Sequence, residues 1–82
     1  MSSYDPAVLV RNARIAENYR FDVQSRLAED EAVRCVACGF QSRLPGTSVF
    51  KWRRFDEDVE PPVIELCEIC NAAAGGPVGT HR

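Results

Sequence analysis

Cys35-Val36-Ala37-Cys38-Gly39 and Cys67-Glu68-Ile69-Cys70-Asn71 decide how this chain is read, because these two Cys-x-x-Cys turns contain all four of its cysteines. A tetrahedral metal ion such as Zn²⁺ takes four soft ligands, and each tight turn offers two thiolates to one ion. Cys35, Cys38, Cys67 and Cys70 are therefore the expected ligands of one structural zinc ion. Gly39 strengthens the first pair as a metal turn, because the chain must reverse there through backbone angles that glycine tolerates. The 28 residues between Cys38 and Cys67 exceed the roughly 15 to 20 of the simplest four-cysteine patterns. A long hairpin accommodates the excess.

Two other uses of the cysteines fit less well. Disulfides would require an oxidising compartment, and Met1-Ser2-Ser3-Tyr4-Asp5 lacks a basic start followed by an apolar run. Dithiol redox chemistry would place one pair at a helix start within a βαβ unit, and 82 residues with two such pairs do not suit that fold. The expected setting is cytoplasmic and reducing. No apolar run approaches the ~20 residues of a spanning helix, so no membrane association is expected.

A single small domain of this length buries little surface, and a zinc ion worth on the order of 10 kcal/mol would compensate. The formal charge is −2, and a four-thiolate zinc site makes it more negative still. Such a field repels a phosphate backbone, so nucleic-acid binding would need a local patch. Lys51 is the only lysine beside nine arginines.

From Asp5 to Glu31 the pattern predicts one amphipathic helix, with Asp5 as N-cap and Pro6 at the first helical position. Val8, Leu9, Ile15, Ala16, Tyr19, Val23 and Leu27 share one stripe at 100° per residue. Arg14 with Glu17 and Asp22 with Arg26 have helix-pair spacing. Val10 and Phe21 fall on a second apolar face and become candidates for a partner contact. Such a helix spans about 38 Å, more than a zinc finger covers. Glu29-Asp30-Glu31 opposes the helix dipole and predicts an end and a hinge before Cys35.

Pro45-Gly46 reads as a tight turn, followed by strands over Thr47 to Phe55 and Pro62 to Leu66, joined by the acidic loop Asp56 to Pro61. Asn71-Ala72-Ala73-Ala74 suits one helical turn before Gly75-Gly76-Pro77 stops it. Residues 75–82 read as a tail.

Residues 35–74 resemble the zinc-ribbon and treble-clef group of zinc fingers: a Cys-x-x-Cys-Gly knuckle, a β-hairpin and a second Cys-x-x-Cys. A second pair that opens a helix matches the treble clef; a second knuckle matches the ribbon, which the short alanine run favours. The resemblance implies a small α+β zinc-stabilised domain, and these folds serve DNA, RNA and protein binding alike. Some treble clefs are His-Asn-His nucleases, but His81, in the tail, is the only histidine. The chain reads as non-enzymatic.

Phe50-Lys51-Trp52-Arg53-Arg54-Phe55 interleaves three cations with three aromatics, the chemistry that stacks bases and neutralises phosphates. Strand alternation divides the cations between two faces, and the acidic loop follows at once. The leading expectation is an accessory or adaptor protein that docks on a larger assembly through its helix and hairpin. The alternatives are a DNA- or RNA-binding finger using Lys51, Trp52, Arg53 and Arg54, and a structural subunit of an oligomer or virus particle.

Overall fold

A computed structural model describes residues 6–77 of the chain. Asp5, Val78 and His81 lie outside them, as does most of the tail expected over 75–82. The element order is α1 (Pro6–Asn18), β1 (Tyr19–Arg26), β2 (Val33–Arg34), β3 (Gln41–Ser42), β4 (Ser48–Arg54), β5 (Val63–Leu66) and α2 (Glu68–Ala73).

The helix expected over 5–31 is corrected: α1 ends at Asn18, and Tyr19–Arg26 is a strand. Ile15, Tyr19, Val23 and Leu27 recur every four residues, a spacing that satisfies a helical stripe and a strand alternation equally. Phe21 discriminates, because Tyr19 and Phe21 alternate with Arg20 and Asp22 at period two; a bulge between Phe21 and Val23 then turns Val23 to the opposite, exposed face, against Lys51. These aromatic and β-branched residues favour the pleated surface, and β4 supplies the partner that an isolated segment lacks. The remaining helix is only about 20 Å long, and it lies on the chain's own sheet.

Three consequences follow from this change of element. Leu9, expected on the inward stripe, is exposed, while Val8, Asn12 and Ile15 face inward. Asp22 pairs with Arg53 on β4 instead of Arg26, and Arg14 and Glu17 form no ion pair. Glu29-Asp30-Glu31 lies in a turn between strands instead of at a hinge. There Glu31 accepts from the Ala28 N–H (2.9 Å), while the flanking backbone is tied by Leu27 N–H to Thr47 O (2.9 Å) and Gly46 N–H to Leu27 O (2.8 Å).

The main sheet is antiparallel in the order β1-β4-β5, with β4 central, while β2 and β3 form a separate short hairpin around the first cysteine turn. Phe21 stands opposite Trp52 and Phe50 opposite Leu66. One sheet face carries the core: Tyr19, Phe50, Trp52, Ile64 and Leu66 pack with Val8 and Ile15 of α1, Cys70 and Ala74 of α2, and Cys35 and Ala37 of the knuckle. Helix, sheet and cysteine cluster thus share one core. A smaller cluster of Leu27, Val33 and Val49 closes the other end of β4.

The expected strands appear close to their predicted limits. The second cysteine pair does not form a second knuckle. Cys67 is the N-cap of α2, its sulfur accepting from the Cys70 N–H. The alanines after Cys70 have high helix propensity, and Glu68 in the first turn suits the positive end of the dipole.

Candidate metal centre

The four sulfurs arrive from two different kinds of local structure. Cys35 and Cys38 flank the β2–β3 reversal, where the Cys35 N–H donates to Phe40 O (2.8 Å) and the Gly39 N–H donates to Cys35 O (2.9 Å). Gly39 has φ +84°, a backbone angle that costs any L side chain roughly 1–2 kcal/mol. Cys67 and Cys70 sit at the start of α2, one turn apart. A backbone bond from Val36 N–H to Glu65 O (3.1 Å) holds the knuckle against β5, whose chain runs directly into Cys67.

All four Sγ atoms lie within 4.8 Å of one another, and none is in a disulfide. Cys38 and Cys67 sulfurs are 3.8 Å apart, which is about the edge of a tetrahedron with metal–sulfur bonds of about 2.3 Å. Cys35 and Cys70 are buried while Cys38 and Cys67 are half-buried, so one side of the cluster rests on the core. The donor set, its spacing and its burial fit a tetrahedral metal ion.

Crowding of the thiols perturbs them in opposite directions. The Cys67 thiol hydrogen-bonds Cys35 and holds Cys35 down to about 4, against the opposing effect of burial. That same bond, together with burial, pushes Cys67 above the ordinary thiol range.

The other residues singled out in the sequence are dispersed. Trp52 is only 4% exposed, and its indole Nε1 donates to Asn71 Oδ1 (2.9 Å). Phe21, half-buried, packs on Phe50 and Trp52 at ring separations of 6.4 and 6.3 Å. Lys51 faces Glu65 across the β4–β5 ladder. Arg53 approaches Asp22 (3.4 Å), and Arg54 bonds Glu60 (3.0 Å) as well as Val59 O. Val10 stands exposed on α1. Phe50 and Trp52 of the basic segment are thus core residues, whereas Phe55 is exposed with the Arg20 guanidinium over its ring at 5.0 Å; Arg53 and Arg54 pair with carboxylates, and Lys51 lies opposite Glu65 in the ladder.

Two features were not singled out in the sequence. Asn71, 1% exposed, links Trp52 to Pro77 O through its amide; an asparagine directly before an alanine run and Gly75-Gly76-Pro77 was the available signal. Arg11 reaches from α1 to donate to Ala37 O in the knuckle (2.7 Å), a contact across 26 residues that no local pattern announces.

Among the described residues no helix is long and apolar enough to cross a membrane. Comparison with known proteins finds no family model, no curated protein and no solved structure that matches this chain.

Proposed function

We propose that this chain is a non-enzymatic, zinc-stabilised accessory or adaptor protein, with one structural Zn²⁺ held by Cys35, Cys38, Cys67 and Cys70 in a treble-clef arrangement. The observation that carries this reading is the mutual approach of all four sulfurs within 4.8 Å. Four protein sulfurs complete a tetrahedral shell, leaving no position for water or substrate, which is how structural zinc sites differ from catalytic ones. A knuckle with Gly39 for the first pair and a helix start for the second support the treble clef over the ribbon. Thiols free of disulfides suit a reducing, cytoplasmic setting.

A closed site assigns function to surfaces that the metal positions. For the adaptor reading, Leu9 and Val10, 53% and 56% exposed on α1, are the side chains offered to a protein partner. Phe21 and Trp52 serve the core.

Native mass spectrometry tests the metal: one zinc ion per chain is expected, and a folded metal-free protein would sink this reading. Affinity purification from the native host tests docking. A protein recovered with the wild type and lost with Leu9→Asp/Val10→Asp supports it; identical recoveries oppose it.

A further inference from the structure

Of the cations that the sequence placed together, Arg53 and Arg54 pair with carboxylates and Lys51 lies opposite Glu65, whereas cations scattered through the sequence are gathered. Arg11 and Arg34 line an open hollow of about 460 Å³ along the knuckle. Arg34 also lines the adjoining hollow with Arg43, Gln41 and Ser42. Arg11 lines the next one on the opposite side together with Arg14. The three hollows are neighbours on the surface: Arg34 borders two of them, and Arg11 with Val36 borders two. No carboxylate lines any of the three; the anionic groups in the lining are the sulfurs of Cys35 and Cys38 in the central hollow, whose charge a bound metal ion would share.

This grouping has a local cause for each member. Arg11 and Arg14 are three residues apart on α1 and so share a helix face. Arg34 stands beside Gln41 in the β2–β3 ladder, and Arg43 follows directly after β3. The two ion pairs among the described residues use Arg53 and Arg54, so none of these four arginines is in one. Arg11 is held at the knuckle by its bond to Ala37 O, and a guanidinium has further donors beyond that one. All four are exposed.

We propose that this arginine patch binds the phosphodiester backbone of a nucleic acid. Four guanidiniums outside any ion pair, bordering neighbouring hollows on a chain whose net charge is −2, make a local positive patch that the overall composition conceals. Guanidinium matches phosphate in bidentate geometry, and a neutral donor such as Gln41 is a typical companion at phosphates. No exposed aromatic lines the three hollows, so binding follows the backbone without reading bases. Leu9 and Val10 line none of the three hollows, and the proposal does not rest on the adaptor reading.

The test is anisotropy of the zinc-loaded full chain with labelled duplex and single-stranded oligonucleotides across a salt series. Four neutralised phosphates give a slope of log K against log salt of about −3.6 for duplex and about −2.8 for single strand; the tighter arm identifies the preferred form. Arg34→Gln/Arg43→Gln should weaken binding tenfold or more at low salt and reduce the slope by about 2. Arg14→Gln, on a different element, should reduce it by about 1. Lys51→Gln/Arg53→Gln should stay within about twofold of wild type, because those cations already face carboxylates. Zinc content and circular dichroism confirm that the exposed substitutions leave the fold intact. No binding at low salt, unchanged affinity in the patch variants, or equal competition by polyglutamate would overturn the assignment, the last pointing to an acidic peptide instead.

Discussion

The indole N–H of Trp52 in the central strand donates to the side-chain carbonyl of Asn71 in α2 at 2.9 Å, joining the sheet to the helix that carries half of the cysteine cluster. Asn71 continues the chain of bonds, its amide donating to Pro77 O (2.8 Å) and its own carbonyl accepting from the Gly76 N–H (2.8 Å). Gly76 permits this closeness: a Cβ there would stand 2.2 Å from Asn71 Oδ1.

Asn71→Ala leaves a buried indole N–H without its acceptor, at a cost of about 1–3 kcal/mol, with lost packing added. Urea denaturation of the metal-loaded protein should show a loss of about 2–3 kcal/mol. Gly76→Ala should lose stability in the same experiment through steric displacement of the Asn71 amide. A loss below about 0.5 kcal/mol for both would mean that this link carries no strain or desolvation.

Asn12 presents the reverse case. It is 2% exposed on the inward face of α1, and neither polar atom of its side chain has a hydrogen-bond partner. An unsatisfied buried amide costs about 1–3 kcal/mol, whereas leucine of similar size adds apolar burial. Asn12→Leu should therefore raise the melting temperature, in contrast to most core substitutions. A fall in melting temperature would show that the amide has a partner in solution.

Any single cysteine-to-serine change among Cys35, Cys38, Cys67 and Cys70 should abolish stoichiometric zinc retention on gel filtration and sharply reduce helical and strand signal. Chelation of the wild type should produce the same loss reversibly, because metal binding and folding of such a small core are coupled. Full structure in excess chelator would separate the fold from the metal.

Metal uptake should acidify a weakly buffered solution, because thiols that are protonated near neutral pH must release their protons to become ligands. The dependence of stability on pH has a definite sign at Cys35. Its folded-state value, about 4, lies below the ordinary 9.0, so its stabilising contribution is complete above the ordinary value. It is lost as pH falls, the last of it near pH 4. Protonation of the other sulfurs displaces the metal as well, so the melting temperature of the loaded protein should decline on acidification. A melting temperature indifferent to pH between 8 and about 4 would contradict thiolate ligation.

The metal cluster was legible because its determinants are local: Cys-x-x-Cys sets two sulfurs on one turn, and Gly39 meets a backbone requirement within the same turn. The strands β4 and β5 were legible for the same reason, since alternation and β-branched residues act over a few positions. The end of α1 was not, because residues spaced by four satisfy both periodicities until a neighbouring strand supplies hydrogen bonds to one of them. Phe21 held the discriminating information, yet its weight depended on Phe50 and Trp52, some thirty residues away.

The sequence by itself determined which four side chains meet in one cluster and where the chain must turn to bring each pair together. Tertiary structure decided that Cys67 opens a helix, that Trp52 faces the core, and that Arg11, Arg14, Arg34 and Arg43 border neighbouring hollows while Lys51, Arg53 and Arg54 face carboxylates. The physical reason is range. Backbone propensity and thiolate spacing act within a turn, whereas burial and charge pairing depend on which distant segments the sheet and the knuckle place side by side.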